Sequence, residues 1–256
     1  MSKIRNAFAG GKAFIAFLTA GDPDLEKTEE YILAMADAGA DLIEIGIPFS
    51  DPIAEGEVIQ AANIRALASG AILPRIFEMV RNVRKKTAVP LVFLTYINPV
   101  FKYGYERFFA ECAQSGMDGI IIPDLPYEEK IEIRDIAEKN GVDLITLIAP
   151  TSKERIRTLA QSARGFVYLV SSMGVTGVRK EIGTDIESIV RDVRAATDTP
   201  VAVGFGISEP SQAKAVASSA DGVIVGSAIV KIIEKYGANA EKALKEYVGA
   251  MKAAVK

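Results

Sequence analysis

Short apolar segments alternate with longer amphipathic ones eight times over 256 residues. This predicts one (β/α)8 barrel, the TIM-barrel architecture, with additional helices. Three observations carry the reading. The short segments are apolar nearly throughout, as parallel strands are when both faces are covered. The number of units and the chain length suit such a barrel. A pattern also recurs: G-A-D-L-I-E-I-G (39–46), G-M-D-G-I-I-I-P (116–123), G-V-D-L-I-T-L-I (141–148) and S-A-D-G-V-I-V-G (219–226) each set a small turn residue and an Asp before an apolar strand. A single such motif is only a turn signal. The hydrophobic fraction of 49% is ample for a packed core. No linker or composition break divides the chain, so residues 1–256 read as a single domain.

In chain order, strands are expected at 13–19 (A-F-I-A-F-L-T), 42–46 (L-I-E-I-G), 91–95 (L-V-F-L-T), 119–122 (G-I-I-I), 143–148 (D-L-I-T-L-I), 166–170 (F-V-Y-L-V), 200–204 (P-V-A-V-G) and 221–225 (D-G-V-I-V). Apolar residues at helical spacing predict helices over 25–38, 73–87, 105–115, 128–140, 152–163, 184–197 and 209–217, with a last pair at 227–235 and 239–254. The segment after the second strand, with Glu55, reads as a long loop. The basic run Arg81–Lys86 reads as an exposed helix end, where cations complement the helix dipole.

Composition excludes several classes. A net charge of −3 gives no electrostatic footprint for nucleic acid. The only cysteine, Cys112, rules out an intrachain disulfide and falls on an apolar helical stripe as core filler. The first residues lack the apolar run of a signal peptide, and no window approaches the roughly 20 apolar residues of a membrane span. A cytoplasmic protein is expected. The chain has no histidine, so proton transfer near neutrality falls to carboxylates, Tyr, Lys or Cys.

In a barrel of this kind, chemistry sits at the C-terminal strand ends and the loops beyond them. Glu44 is a carboxylate where an ordinary strand would carry Val or Ile, and Glu55 follows on the adjoining loop. Two acids so placed suit a buried acid/base site. G-F-G-I-S (204–208) and G-S-A-I-V (226–230) put glycine turns after the last two strands, the usual phosphate site of the fold, with a helix N-terminus opening at Ser227. G-V-T-G (174–177) would add N–H donors or a lid. Phe17, Ile59, Tyr96, Ile121 and Tyr168 would form apolar and aromatic walls. Together these suggest a phosphorylated ligand with a flat apolar end. Many chemistries use such a barrel. A Schiff-base aldolase needs a lysine at a strand end, and none of the eight expected strands ends in one.

The motifs F-L-T-A-G-D-P (17–23), E-I-G-I-P-F-S-D-P (44–52), I-Q-A-A-N-I-R-A-L (59–67), Y-L-V-S-S-M-G-V-T-G (168–177), G-F-G-I-S (204–208) and G-S-A-I-V-K-I-I (226–233) resemble the tryptophan synthase alpha chain family over essentially the whole sequence. The resemblance implies retro-aldol cleavage of indole-3-glycerol phosphate to indole and glyceraldehyde 3-phosphate, with neither metal nor organic cofactor. It assigns acid/base duty to Glu44, stabilisation of charge on the indole ring to Glu55, and a place beside the ring to Tyr168. Phosphate contacts fall on Gly177, Gly206, Gly226 and Ser227. It also implies an α2β2 complex with a pyridoxal-phosphate beta chain that receives indole through a tunnel. Residues 48–52 and 98–104 would face that partner, and closure of 171–180 would seal the site. The family's usual A-D-G-P is here A-E-G-E (54–57). Glu55 lengthens the side chain by one methylene, and Glu57 in place of proline is expected to loosen the loop. That departure leaves open a barrel that chiefly activates its partner. A free-standing, indole-releasing lyase is also open.

Overall fold

The computed structural model describes residues 3–151, 153–170, 186–204 and 206–256. Its strands are β1 (Ala13–Thr19), β2 (Leu42–Gly46), β3 (Leu91–Leu94), β4 (Gly119–Ile121), β5 (Asp143–Leu144), β6 (Thr146–Ile148), β7 (Val167–Val170), β8 (Val201–Gly204) and β9 (Gly222–Val225). They run parallel in the order β5-β4-β3-β2-β1-β9-β8-β7-β6. The stretch expected as one strand over 143–148 is divided at Ile145, where it changes partner. Asp143–Leu144 pairs with β4, and Thr146–Ile148 pairs with β7. The Ile145 N–H still donates to the Ile120 carbonyl at 2.9 Å across the break. The two pieces share one position in the wall, so the sheet curls into a nearly closed barrel of eight positions.

The surrounding helices are α1 (Leu25–Asp37), α2 (Glu57–Ala68), α3 (Leu73–Arg84), α4 (Ile97–Tyr103), α5 (Tyr105–Ser115), α6 (Ile131–Lys139), α7 (Lys153–Gln161), α8 (Ile186–Arg194), α9 (Pro210–Ala217), α10 (Ser227–Tyr236) and α11 (Glu241–Val255). Two of them, α2 and α4, fall where the periodicity gave no signal. The polar residues of α2 (E-V-I-Q-A-A-N-I-R-A-L-A) are spread around it and do not gather on one side, so it lacks the polar face that marks an amphipathic helix. α4 is seven residues long with a proline in its first turn, a position proline tolerates. No helix among the described residues is long and apolar enough to cross a membrane.

Apolar burial divides into layers. The largest lies between strands and helices and includes Phe77, Phe93, Phe108 and Phe109. Their rings meet edge to face, Phe77 to Phe108 at 5.6 Å and Phe108 to Phe109 at 5.5 Å between centroids. Cys112 is fully buried in this layer, and burial pushes its thiol pKa up, away from nucleophilic use. A second cluster fills the barrel interior with Ile15, Leu42, Val92, Ile121, Phe166 and Ile224. Ile4, from the 3-10 turn Lys3–Phe8, joins it and plugs the N-terminal end.

The recurrent Asp has a physical role beyond turning the chain. Asp41 Oδ2 accepts the Phe14 N–H at 2.7 Å, Asp118 Oδ2 the Leu91 N–H at 2.9 Å, and Asp221 Oδ2 the Val201 N–H at 2.9 Å. Each carboxylate thus clips the start of one strand to the strand before it in sequence. Each also pairs with a cation from a helix: Lys252, Arg84 and Arg194 respectively. The basic run at 81–86 is therefore not uniformly exposed. Lys85 and Lys86 face solvent, but the Arg84 side chain is only 17% exposed because it reaches inward to Asp118.

Removing a mostly buried partner of a charged pair leaves the other charge uncompensated. Asp118→Ala is expected to lower stability by about 3 kcal/mol, and the more exposed Asp221→Ala by about 1 kcal/mol. Urea unfolding of the two variants checks this ranking, and equal losses would contradict it.

Candidate active site

Alternation along β2 sends Ile43 and Ile45 to the helix-facing layer and Leu42 into the barrel. Glu44, two residues after Leu42, therefore points to the interior at the barrel mouth. It is only 1% exposed, and its Oε1 has no hydrogen-bond partner among the described residues. Desolvation without a compensating partner raises its pKa from 4.5 to about 8.

Glu55 ends the loop after β2, next to Gly56, which caps α2. From within α2, Asn63 Nδ2 donates to Glu55 Oε2 at 2.7 Å, while Gln60 Nε2 donates to the Glu55 carbonyl at 2.7 Å. Burial raises the Glu55 pKa to about 7, and the bond from Asn63 pulls the other way. Tyr96 Oη accepts the Ala54 N–H at 3.0 Å, and its ring lies 5.3 Å from that of Phe49. Burial and the nearby Glu55 charge push the Tyr96 phenol up to about 12. The loop is thus held from the turn between β3 and α4 and from α2. Glu57 does not belong to it. Glu57 is the first residue of α2, where an acid complements the positive end of the helix.

Tyr168 rises from β7 and lies over β8. A Cβ at Gly204 would sit 2.5 Å from Tyr168 Oη, so only glycine leaves room for the ring. Burial, then the charge of Glu44, raises the Tyr168 phenol well above its ordinary range. Phe17, opposite Glu44 in the β1–β2 register, packs with Ile59, Ala62 and Val230 and so joins the wall to α2 and α10. A Cβ at Gly226 would come within 3.2 Å of the Phe17 ring. Two glycines assigned in sequence to an anion turn thus also clear space for aromatic walls. Gly206 does need glycine's backbone, with φ at +81°. Ser227 opens α10, whose N-cap Gly226 offers no side-chain cap, so the first-turn N–H groups suit an anion.

These residues meet in one cavity of about 670 Å³ lined by Phe17, Glu44, Glu55, Ile59, Tyr96, Tyr168, Gly206, Gly226 and Ser227. Of the expected wall residues, Ile121 is absent from the lining. It is fully buried in the interior cluster, while Leu94, Ile122 and Leu147 line the cavity. Gly177 and the segment 171–180 lie outside the described residues. Sequence reasoning missed Asn63. Its signal was an amide within an otherwise apolar run.

Glu44 holds its proton more tightly when folded (pKa about 8) than when unfolded (4.5). Stability is therefore fully present at low pH and falls as pH rises from about 4.5 to about 8. Glu44→Gln removes that loss. Thermal melts are expected to give similar stability to the parent near about pH 4 and a more stable variant near about pH 9. A difference independent of pH would contradict this account of the site.

Comparison with known proteins agrees with this geometry. The family model described as tryptophan synthase alpha chain matches residues 5–256. The tryptophan synthase alpha chain of Lacticaseibacillus casei is 49% identical over 255 residues, covering 100% of this chain and 96% of the relative. That of Caldanaerobacter subterraneus subsp. tengcongensis is 51% identical over 237 residues, covering 93% and 90%. Among solved structures, a chain of Mycobacterium tuberculosis tryptophan synthase superposes with a TM-score of 0.91 at 33% identity, covering 99% of this chain and 98% of that one. One from work on mutual activation in the tryptophan synthase α2β2 complex of Pyrococcus furiosus superposes with a TM-score of 0.87 at 40% identity, covering 95% and 99%. With the family model and half-identical relatives spanning nearly the whole sequence, the chain belongs to the tryptophan synthase alpha chain family.

Proposed function

We propose that this chain is a cytoplasmic carbon–carbon lyase, the alpha subunit of tryptophan synthase, and cleaves indole-3-glycerol phosphate to indole and glyceraldehyde 3-phosphate. The observation that carries the reading is the pair of buried carboxylates, Glu44 and Glu55, on one cavity that also holds the uncapped start of α10. Glu44 serves as acid and base. A pKa of about 8 leaves both its forms available near neutrality. It delivers a proton to indole C3 and takes the proton of the glycerol hydroxyl on the carbon next to the ring. As that hydroxyl becomes the aldehyde carbonyl, the bond to C3 breaks and its electron pair returns to the indole ring. Glu55, held by Asn63, accepts a hydrogen bond from N1–H and stabilises the positive charge that C3 protonation places on the ring. Tyr168 and Phe17 flank the ring, while Gly206, Gly226 and Ser227 receive the phosphate.

The reading includes a beta chain as partner in an α2β2 assembly. It is supported by apolar side chains left exposed around the mouth, Ile53 at 73% and Phe101 at 65%, on the segments after β2 and β3. These are surfaces that association would cover. The Glu55 departure is accommodated locally, since the longer side chain reaches a bonded position on Asn63. This favours a working lyase over a barrel that only activates its partner.

The deciding measurement is indole release from indole-3-glycerol phosphate, with and without a cognate beta chain. Turnover that rises with the partner is expected, and Glu44→Gln should lower it by about 10²- to 10⁴-fold. A folded chain that cleaves under neither condition would overturn the reading. Asn63→Ala removes the bond that opposes the rise of the Glu55 pKa, so Glu55 should ionise at higher pH. The acidic limb of the kcat/KM profile is expected to move upward, with activity partly recovered at alkaline pH. An unmoved limb would show that Asn63 does not set the ionisation of Glu55.

A further inference from the structure

The lyase reading gives Gly206 to the phosphate but leaves open what holds its turn in place. The turn leaves β8 at Gly204, lines the cavity at Gly206 and Ile207, and enters α9 at Pro210. Ser208, the next residue after the lining pair, is gripped on both sides. Its N–H donates to Gln212 Oε1 at 2.9 Å, and the Glu209 N–H donates to the same oxygen at 3.1 Å. Its carbonyl accepts from Tyr247 Oη at 2.8 Å. The first grip is local, a third-residue side chain reaching back to the start of its own helix. The second comes from α11, 39 residues further along the chain. Burial, then the charge of Glu209, raises the Tyr247 phenol above its ordinary pKa, so the hydroxyl keeps its proton and serves as the donor.

α11 does not need this bond to dock. Leu244, Val248, Met251 and Val255 bury its apolar face, and Lys252 pairs with Asp41 at the N-terminal end of the barrel. The Tyr247 hydroxyl reaches the opposite end, where the site lies. We propose that Tyr247 is a positioning residue for phosphate binding, fixing through the Ser208 carbonyl the turn that presents Gly206 to the anion. The inference rests on the reading that Gly206, Gly226 and Ser227 receive the phosphate. Its physical basis is preorganisation: backbone groups bind best when they are already aimed, because less freedom is then lost on binding. Glycine has the most backbone freedom to lose, and Gly206 stands at φ +81° between two residues of ordinary loop. The facing wall needs no such tie. Gly226 leads straight into α10, where the Val230 N–H closes on the Gly226 carbonyl at 3.0 Å. One half of the anion site is thus held by its own helix and the other by a distant tyrosine.

The test is calorimetric titration of the full chain with glycerol 3-phosphate and, separately, with indole, for the parent, Tyr247→Phe and Gln212→Ala. Tyr247→Phe deletes one hydroxyl and keeps the packed ring. It is expected to weaken glycerol 3-phosphate binding by roughly three- to ten-fold, the effect of one neutral hydrogen bond, and to leave indole affinity unchanged. Gln212→Ala, which releases the other side of Ser208, should act in the same direction. Ser227→Asp sets a carboxylate at the start of α10 and should abolish glycerol 3-phosphate binding, which locates the site. A merely structural Tyr247 would lower the melting temperature of Tyr247→Phe and leave both affinities as they are, and that result would overturn the proposal. Equal weakening of indole and glycerol 3-phosphate would also overturn it, by showing a general loosening of the cavity. Glycerol 3-phosphate that binds Ser227→Asp as well as the parent would instead overturn the phosphate assignment itself, a failure distinct from the other two because it appears without any change at Tyr247.

Discussion

The constraint on which the site depends is the placing of a carboxylate inside an apolar barrel. Strand alternation leaves Glu44 no other direction: reversing it would expose Leu42 to the helix layer and bring Ile43 and Ile45 into the interior. The mouth around it is built from Phe17 and Tyr168. Each ring fits because the neighbouring strand or helix start presents glycine, Gly226 beside Phe17 and Gly204 beneath Tyr168. The resulting dryness raises the Glu44 pKa toward neutrality, and a chain without histidine needs that shift for acid/base work.

Glu55 is handled differently. Its carboxylate is also desolvated, but it receives a hydrogen bond from Asn63 and sits on a loop held by Tyr96 and Gln60. Two carboxylates of the same intrinsic acidity are thereby separated in role. One has an oxygen, Oε1, with no partner among the described residues and is suited to proton transfer, and the other is bonded and suited to holding charge. α2 links the two. It carries Asn63 toward Glu55 and packs Ile59 and Ala62 against Phe17, which lies beside Glu44 in register. The same helix carries Arg65, which makes a two-pronged bond to the buried Asp22 at 2.8 Å on each arm and so anchors α2 to the loop after β1.

The barrel that holds this site in register relies on a repeated electrostatic device. Asp41, Asp118 and Asp221 each take a backbone N–H from an adjacent strand and a cation from a helix. One carboxylate thus fixes strand to strand and helix to sheet at the N-terminal end. The C-terminal end is left free for glycines, acids and exposed apolar loops. Stability and function are divided between opposite ends of the barrel, as the fold allows.

The sequence by itself determined the eight strand positions of the wall, Glu44 on the second strand with Glu55 on the loop beyond it, the glycine turns of the last two strands and the family. All of these rest on local pattern: apolar runs, turn residues and short motifs, which depend only on near neighbours in the chain. Tertiary structure alone decided the rest. α2 escaped notice because its solvent side carries Ile64 and Leu67, so no continuous polar face marks its period. Ile121 packs into the interior cluster and is not among the lining residues, whereas its neighbour Ile122, on the other side of the chain, is. Arg84 turns inward to pair with Asp118, 34 residues away in sequence and outside any local window. Asn63 became meaningful only once packing brought it beside Glu55. Desolvation and long-range pairing are properties of the assembled fold, and no local window of residues contains them.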